Sequence, residues 1–161
     1  MARYLIVAHQ TSASEELIAE LRAVCAADGQ AEFTLLVPAT PASDLLTWEE
    51  GETREIAYRH AQESRARLEQ AGIQVKEARV GDYLPLDAIR DELGRRPGYA
   101  GIILSTFPPG MSRWLRVDLP TQVRRSFPKM QIKHVLAQPR ARVPVADPAS
   151  SGTRQLTDDQ P

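Results

Sequence analysis

Short apolar runs and longer stretches of helical periodicity alternate along this chain, and their spacing sets out its elements. Tyr4 to Ala8 is a nearly continuous apolar run, which suits a strand buried on both faces. Ser12 with Glu15 three residues on reads as a capping box, after which Leu17, Ile18, Leu21, Val24 and Cys25 recur at helical spacing as far as Gly29. Phe33 to Val37 predicts a second buried strand stopped by Pro38, and Ala39 to Thr47, with Pro41, Ser43 and Asp44, has no period and predicts a loop. From about Trp48 to Ala71 a sequence rich in Glu, Arg, Gln and Ala predicts a long helix buried along one edge at Ala57, Ala61 and Leu68 and ended by Gly72.

Ile73 to Val80 alternates imperfectly between apolar and polar residues, as a strand near the sheet edge does. Gly81 and Asp82 predict a turn. Pro85 suits a first helical turn, and Leu86, Ile89 and Leu93 share one face before Gly94 and the breaker from Arg95 to Gly98. Gly101 to Ser105 is a further apolar strand, Thr106 to Asp118 a long connection, Leu119 to Phe127 a short helix with Asp118 as its N-cap, and Ile132 to Ala137 the last strand. Strands separated by helices require an α/β fold, here one doubly wound five-stranded parallel sheet with right-handed crossovers and helices on both faces. With the first strand central between the second and fourth, the order is 3-2-1-4-5. Residues 1–138 make this domain. Residues 139–161, rich in proline and poor in large apolar side chains, predict a flexible tail.

Composition narrows the partners. A formal net charge of -1 in 161 residues supplies no field to gather nucleic acid or an acidic membrane surface. The only cysteine, Cys25, excludes a disulfide framework within the chain and suits a reducing, cytoplasmic setting. No apolar run approaches the length of a membrane span, and Met1-Ala2-Arg3-Tyr4 leads into a strand rather than a signal peptide's apolar region.

In open α/β sheets ligands bind outside the carboxyl ends of the strands, where the strand order reverses. That places the crevice between His9-Gln10-Thr11 and Ser105-Thr106-Phe107, with Val37-Pro38 and Gly81-Asp82 at the other strand ends. The connection Phe107-Pro108-Pro109-Gly110-Met111-Ser112-Arg113-Trp114-Leu115-Arg116 has a stiff double proline, two arginines and two large aromatics. Arg113 and Arg116 suit an anionic ligand and Phe107 or Trp114 a flat ring, while the alternative has Trp114 and Leu115 covering the sheet. The candidate ligand contacts are therefore His9, Gln10, Thr11, Val37, Gly81, Asp82, Ser105, Thr106, Gly110, Met111, Ser112 and Arg113. His9 would titrate near neutrality, but with His60 on a polar helix and His134 on the last strand no short-range metal spacing exists, and no metal is expected. Ser12 and Ser14 read as helix caps, and Asp87 with Asp91 as a solvent-facing pair. There is no phosphate loop of the Walker type and no nucleophile elbow, so no catalytic residue is assigned.

The turn Ala8-His9-Gln10-Thr11-Ser12-Ala13-Ser14, the step Val80-Gly81-Asp82 and the run from Gly101 to Val123 resemble the universal stress protein family across Arg3 to Ala137. The resemblance implies a stress-response module, adenine nucleotide (ATP or AMP) as the ligand class, and a homodimer joined through the last strand. In the family a strand-end Asp followed by Gly meets adenine and ribose, and a glycine-rich loop after the fourth strand holds the phosphates. Here the Asp falls on His9, its Gly on Gln10, the loop glycines on Leu104, Phe107 and Val117, and the closing hydroxyl residue on Asp118. Ser105, Thr106 and Gly110 are the best-preserved parts. Phosphate loops need glycine so that bare N–H groups approach the oxygens, and a carboxylate at Asp118 repels a phosphate, so ATP and AMP are disfavoured. The expected function is a non-catalytic regulatory module with a degenerate crevice. The alternatives are a nucleotide sensor binding through Ser105, Thr106, Gly110, Ser112 and Arg113, and an enzyme on an anionic or aromatic small molecule using His9 and Arg113.

Overall fold

The structure, a computed structural model, describes residues 2–39, 50–110, 112, 114 and 118–138. Five strands, β1 (Arg3–Val7), β2 (Glu32–Pro38), β3 (Val75–Gly81), β4 (Gly101–Thr106) and β5 (Gln131–Leu136), alternate with helices α1 (Glu15–Ala27), α2 (Glu50–Gln70), α3 (Pro85–Arg95) and α4 (Leu119–Ser126). All strand pairs are parallel, in the order β3-β2-β1-β4-β5. The sequence-based order holds, with β1 at the centre.

The alternating pleat of the central strands divides the core in two. Ile6, Ala8, Phe33, Leu35, Val37 and Ile103 pack with Leu17 and Leu21 of α1 and Ala61 and Leu68 of α2 on one face. Leu5, Val7, Leu36, Ile102 and Leu104 pack with Ala88 and Ile89 of α3, Trp114, and Leu119 and Val123 of α4 on the other. Near-continuous apolar strands are what this two-sided burial demands. Among the described residues, no helix is long and apolar enough to cross a membrane.

Several boundaries differ from expectation for identifiable reasons. The residue that caps α1 is Ser14, whose hydroxyl accepts from the Leu17 N–H at 3.2 Å. Ser12 is instead buried and its hydroxyl lies 2.6 Å from that of Ser64, so the predicted capping box does not form. Strand β3 starts at Val75 rather than Ile73 because the end of α2 takes the two residues before it. Gly72, at φ 84, donates its N–H to Glu69 O and Ile73 donates to Leu68 O, the paired bonds of a left-handed helix stop. Ile73 is buried there as an anchor. Strand β2 runs through Pro38, which pairs with Gly81 at the end of β3.

Asp118 precedes α4 as expected, yet its side chain makes no capping bond. Side-chain capping needs an extended N-cap backbone, whereas Asp118 is left-handed at φ 52, ψ 45. Leu119 and Pro120 therefore begin the helix without help from that carboxylate. The predicted loop over Ala39 to Thr47 and the tail from residue 139 lie, apart from Ala39, outside the described residues.

A buried carboxylate fixes α3 to the sheet. Glu92 is 2% exposed, accepts from the Tyr99 hydroxyl at 2.8 Å, and has the Arg79 guanidinium 3.8 Å away. Arg79 also pairs with Glu77 at 2.7 Å, and the Arg3 guanidinium sits 5.8 Å over the Tyr99 ring. Burial raises the Tyr99 hydroxyl above its ordinary range, which keeps it a donor. Position 92 follows Ile89 by three residues and so lies with Ala88 and Ile89 on the buried side of α3.

Candidate functional site

Strands β1 and β4 end side by side, and a hydroxyl group from the turn after β1 meets one from the last two residues of β4. Thr11 and Ser105 form a reciprocal tie: Ser105 Oγ donates to Thr11 Oγ1 at 2.8 Å, and Thr11 Oγ1 donates to the Ser105 carbonyl at 3.1 Å. Ser105 is 0% exposed. Next along β4, Thr106 Oγ1 donates to Phe107 O at 3.0 Å and lies 2.8 Å from Nε2 of His134 on β5. With the hydroxyl proton used on Phe107, His134 carries its own proton on Nε2. Thr11, Ser12, Ser105, Thr106 and Ser112 are all buried. Burial without partners would be costly, and each of the first four is satisfied from within the protein.

Helix α2 reaches the turn after β1 through His60 and Ser64. His60 Nε2 is 2.6 Å from the His9 carbonyl, which only accepts, so the imidazole donates. The same nitrogen is 3.3 Å from Ser12 Oγ. The two imidazoles are stacked, with centroids 5.3 Å apart and planes at 29°. Burial, and after it the neighbouring His60, pushes the His9 imidazole down to about 4. His9 is therefore neutral at pH 7. Burial and the charge of Arg124 likewise lower His134. Among the described residues no group of three His, Cys, Asp or Glu side chains gathers as a metal site would require.

The remaining candidates scatter. Gln10 is exposed, and Val37 is buried in the core on the α1 and α2 face. Gly81 is required by close packing: a Cβ there would lie 2.6 Å from Ala88 Cβ. Asp82 uses its carboxylate locally, accepting from the Leu84 N–H at 2.9 Å. Gly110 is exposed at φ 92, a turn only glycine adopts readily. Ser112 donates its N–H to Pro108 O at 3.3 Å. Met111 and Arg113, with Leu115, Arg116 and Val117, lie outside the described residues. Trp114 is 9% exposed within the apolar core, so it covers the sheet instead of offering a stacking face.

Sequence reasoning gave His60 no place beside His9 and did not single out Ser64. Their positions relative to the buried stripe of α2, Ala57, Ala61 and Leu68, carried the signal: Ser64 falls on the stripe and His60 beside it.

No protein-family model matches the chain, and no curated protein is similar to it in sequence. Solved structures are similar in fold. A universal stress protein in complex with cAMP matches at a TM-score of 0.54 and 17% identity over 84% of this chain and 97% of that one. A universal stress protein from Archaeoglobus fulgidus matches at 0.56 and 10% identity over 84% and 93%. A member of the same family from Burkholderia pseudomallei matches at 0.53 and 14% over 84% and 96%. With the strand order and helix placement described above, the chain has the universal stress protein fold.

Proposed function

We infer that this chain is a non-catalytic regulatory module of the universal-stress type, cytoplasmic, whose crevice is reduced as a nucleotide site. The observation that carries the reading is the Thr11–Ser105 tie. Hydroxyls that would face a phosphate are bonded to each other, with Ser105 fully buried. A phosphate could engage them only by breaking those bonds, and each satisfied buried bond is worth about 1 kcal/mol net. The histidine at the strand end supports the same view, because a neutral imidazole with a value of about 4 is a weak base at pH 7.

Isothermal titration with ATP and magnesium, AMP and cAMP tests this. cAMP is included because one structural neighbour is described in complex with it. The expected result is no heat at millimolar nucleotide. Saturable binding in the micromolar range would overturn the reading and favour a nucleotide sensor, for which the positive φ of Gly110 is the supporting observation. The reading includes a homodimer through β5, an edge strand that pairs only with β4 among the described residues. Light scattering over a wide concentration range tests it, and a monomer throughout would remove it.

A further inference from the structure

The two edges of the sheet are not alike. On β3, Lys76 pairs with Glu32 and Glu77 with Arg79 and Arg96, so this edge carries a row of charges that opposes strand addition. On β5 the single charged residue is Lys133, bound to Glu20 of α1, and Leu136 is 43% exposed. Ala137 donates its N–H to Thr106 O on β4. Backbone groups alternate in direction along a strand, so those of Ile132, His134 and Leu136 point away from β4 toward the open edge. Their side chains lie on the α4 face, and those of Gln131, Lys133 and Val135 on the α1 face.

An antiparallel second copy must match faces, which leaves two registers that pair five residues of β5. In one, Lys133 stands opposite its own copy at the close spacing of a non-hydrogen-bonded pair, where like charges destabilise. In the other, His134 stands opposite its own copy and Ile132 opposite the partner's Leu136. That register covers the exposed leucine with an apolar partner and gives three hydrogen-bonded pairs, about six bonds in all.

Resting on the reading of β5 as the dimer edge, we propose that two copies join in the register that centres His134 on the two-fold axis, and that protonation of His134 opens this joint. Among the described residues, the groups facing His134 are the Thr106 hydroxyl from β4, the Arg124 guanidinium from α4 and, across the axis, the second His134. None of them is an anion. A proton on either imidazole therefore meets a cation from α4, and a proton on each places like charges face to face. Lys133 and Glu20 neutralise each other on the opposite face of the sheet.

Two measurements on the full chain test this. Disulfide formation on mild oxidation, in a Cys25→Ser background, reads the register. His134→Cys should cross-link to itself, because hydrogen-bonded antiparallel partners are about 5.5 Å apart at Cα and a disulfide spans about 4.4–6.8 Å. An Ile132→Cys/Leu136→Cys double variant, which keeps His134, should cross-link as well. Cross-linking of Lys133→Cys with neither of these would overturn the register while leaving the dimer in place. Sedimentation equilibrium reads the proton dependence. The dimer Kd should rise about tenfold or more from pH 8 to pH 5, and change less than about threefold in His134→Gln. An unchanged Kd in the native chain would overturn the proton effect, and a monomer at every pH and concentration would overturn the dimer itself.

Discussion

Acid should loosen this fold in a window set by His9, and the size of the effect comes from its surroundings. Burial and the stacked His60 ring hold the His9 imidazole at about 4, against 6.5 when it is free of the fold. Between those values the unfolded chain binds a proton that the folded chain refuses. Stability is therefore fully present above about pH 6.5 and falls as the pH drops toward 4. A gap from 6.5 to about 4 sets a ceiling of about 3 kcal/mol, and partial solvent access to a half-buried ring brings the expected loss near 2 kcal/mol. His134, also lowered, acts in the same direction. The depressed carboxyls add little in this range, because the stability contributed by Asp28 and Glu77 is present above their ordinary values of 3.8 and 4.5 and is lost as the pH falls below those values. Urea denaturation followed by circular dichroism from pH 8 to pH 4.5 should show the loss, and His9→Gln should remove more than half of it. A His9→Gln variant with the pH slope of the native chain would refute the reasoning.

Three further perturbations have signs and sizes fixed by the structure. Tyr99→Phe removes the hydroxyl that donates to buried Glu92, and should cost about 1–3 kcal/mol in chemical denaturation, with an unchanged midpoint counting against a role for that bond. Ser14→Ala should lower stability by about 1 kcal/mol through loss of the α1 cap, whereas Ser12→Ala should leave the helix start intact and act through the Ser64 contact. Gly81→Ala forces a methyl group to within 2.6 Å of Ala88 and should cost about 1–3 kcal/mol, visible as a lower thermal midpoint.

The order of elements was legible because each central strand reads as an apolar run and each connection as a helical period. Leu5 to Val7, Leu35 to Val37 and Ile102 to Leu104 are buried on both faces, so composition alone marks them. Local hydrogen bonding was less legible. Ser12 and Ser14 both precede α1 with a glutamate or leucine three residues on, and the choice between them is made by Ser64, 52 residues away. The same distance problem hides the candidate site. His9 was singled out from its strand-end position, but the ring it stacks on and the nitrogen that fixes its carbonyl come from position 60 on a helix whose other residues are mostly polar. Tertiary context also gives Gly81 and Asp82, chosen by their strand-end position, roles in packing and a local turn.

The tie between Thr11 and Ser105 has a consequence for any molecule entering beside it. A guest needing both hydroxyls meets a protein in which they are free only in a minor population, and its apparent affinity is scaled down by that fraction. If opening costs about 1.4 kcal/mol, the factor is about ten. Thr11→Ala or Ser105→Ala would release the surviving hydroxyl from its side-chain partner, so selectivity at this crevice is set as much by what the empty protein prefers to hold closed as by the shape it offers.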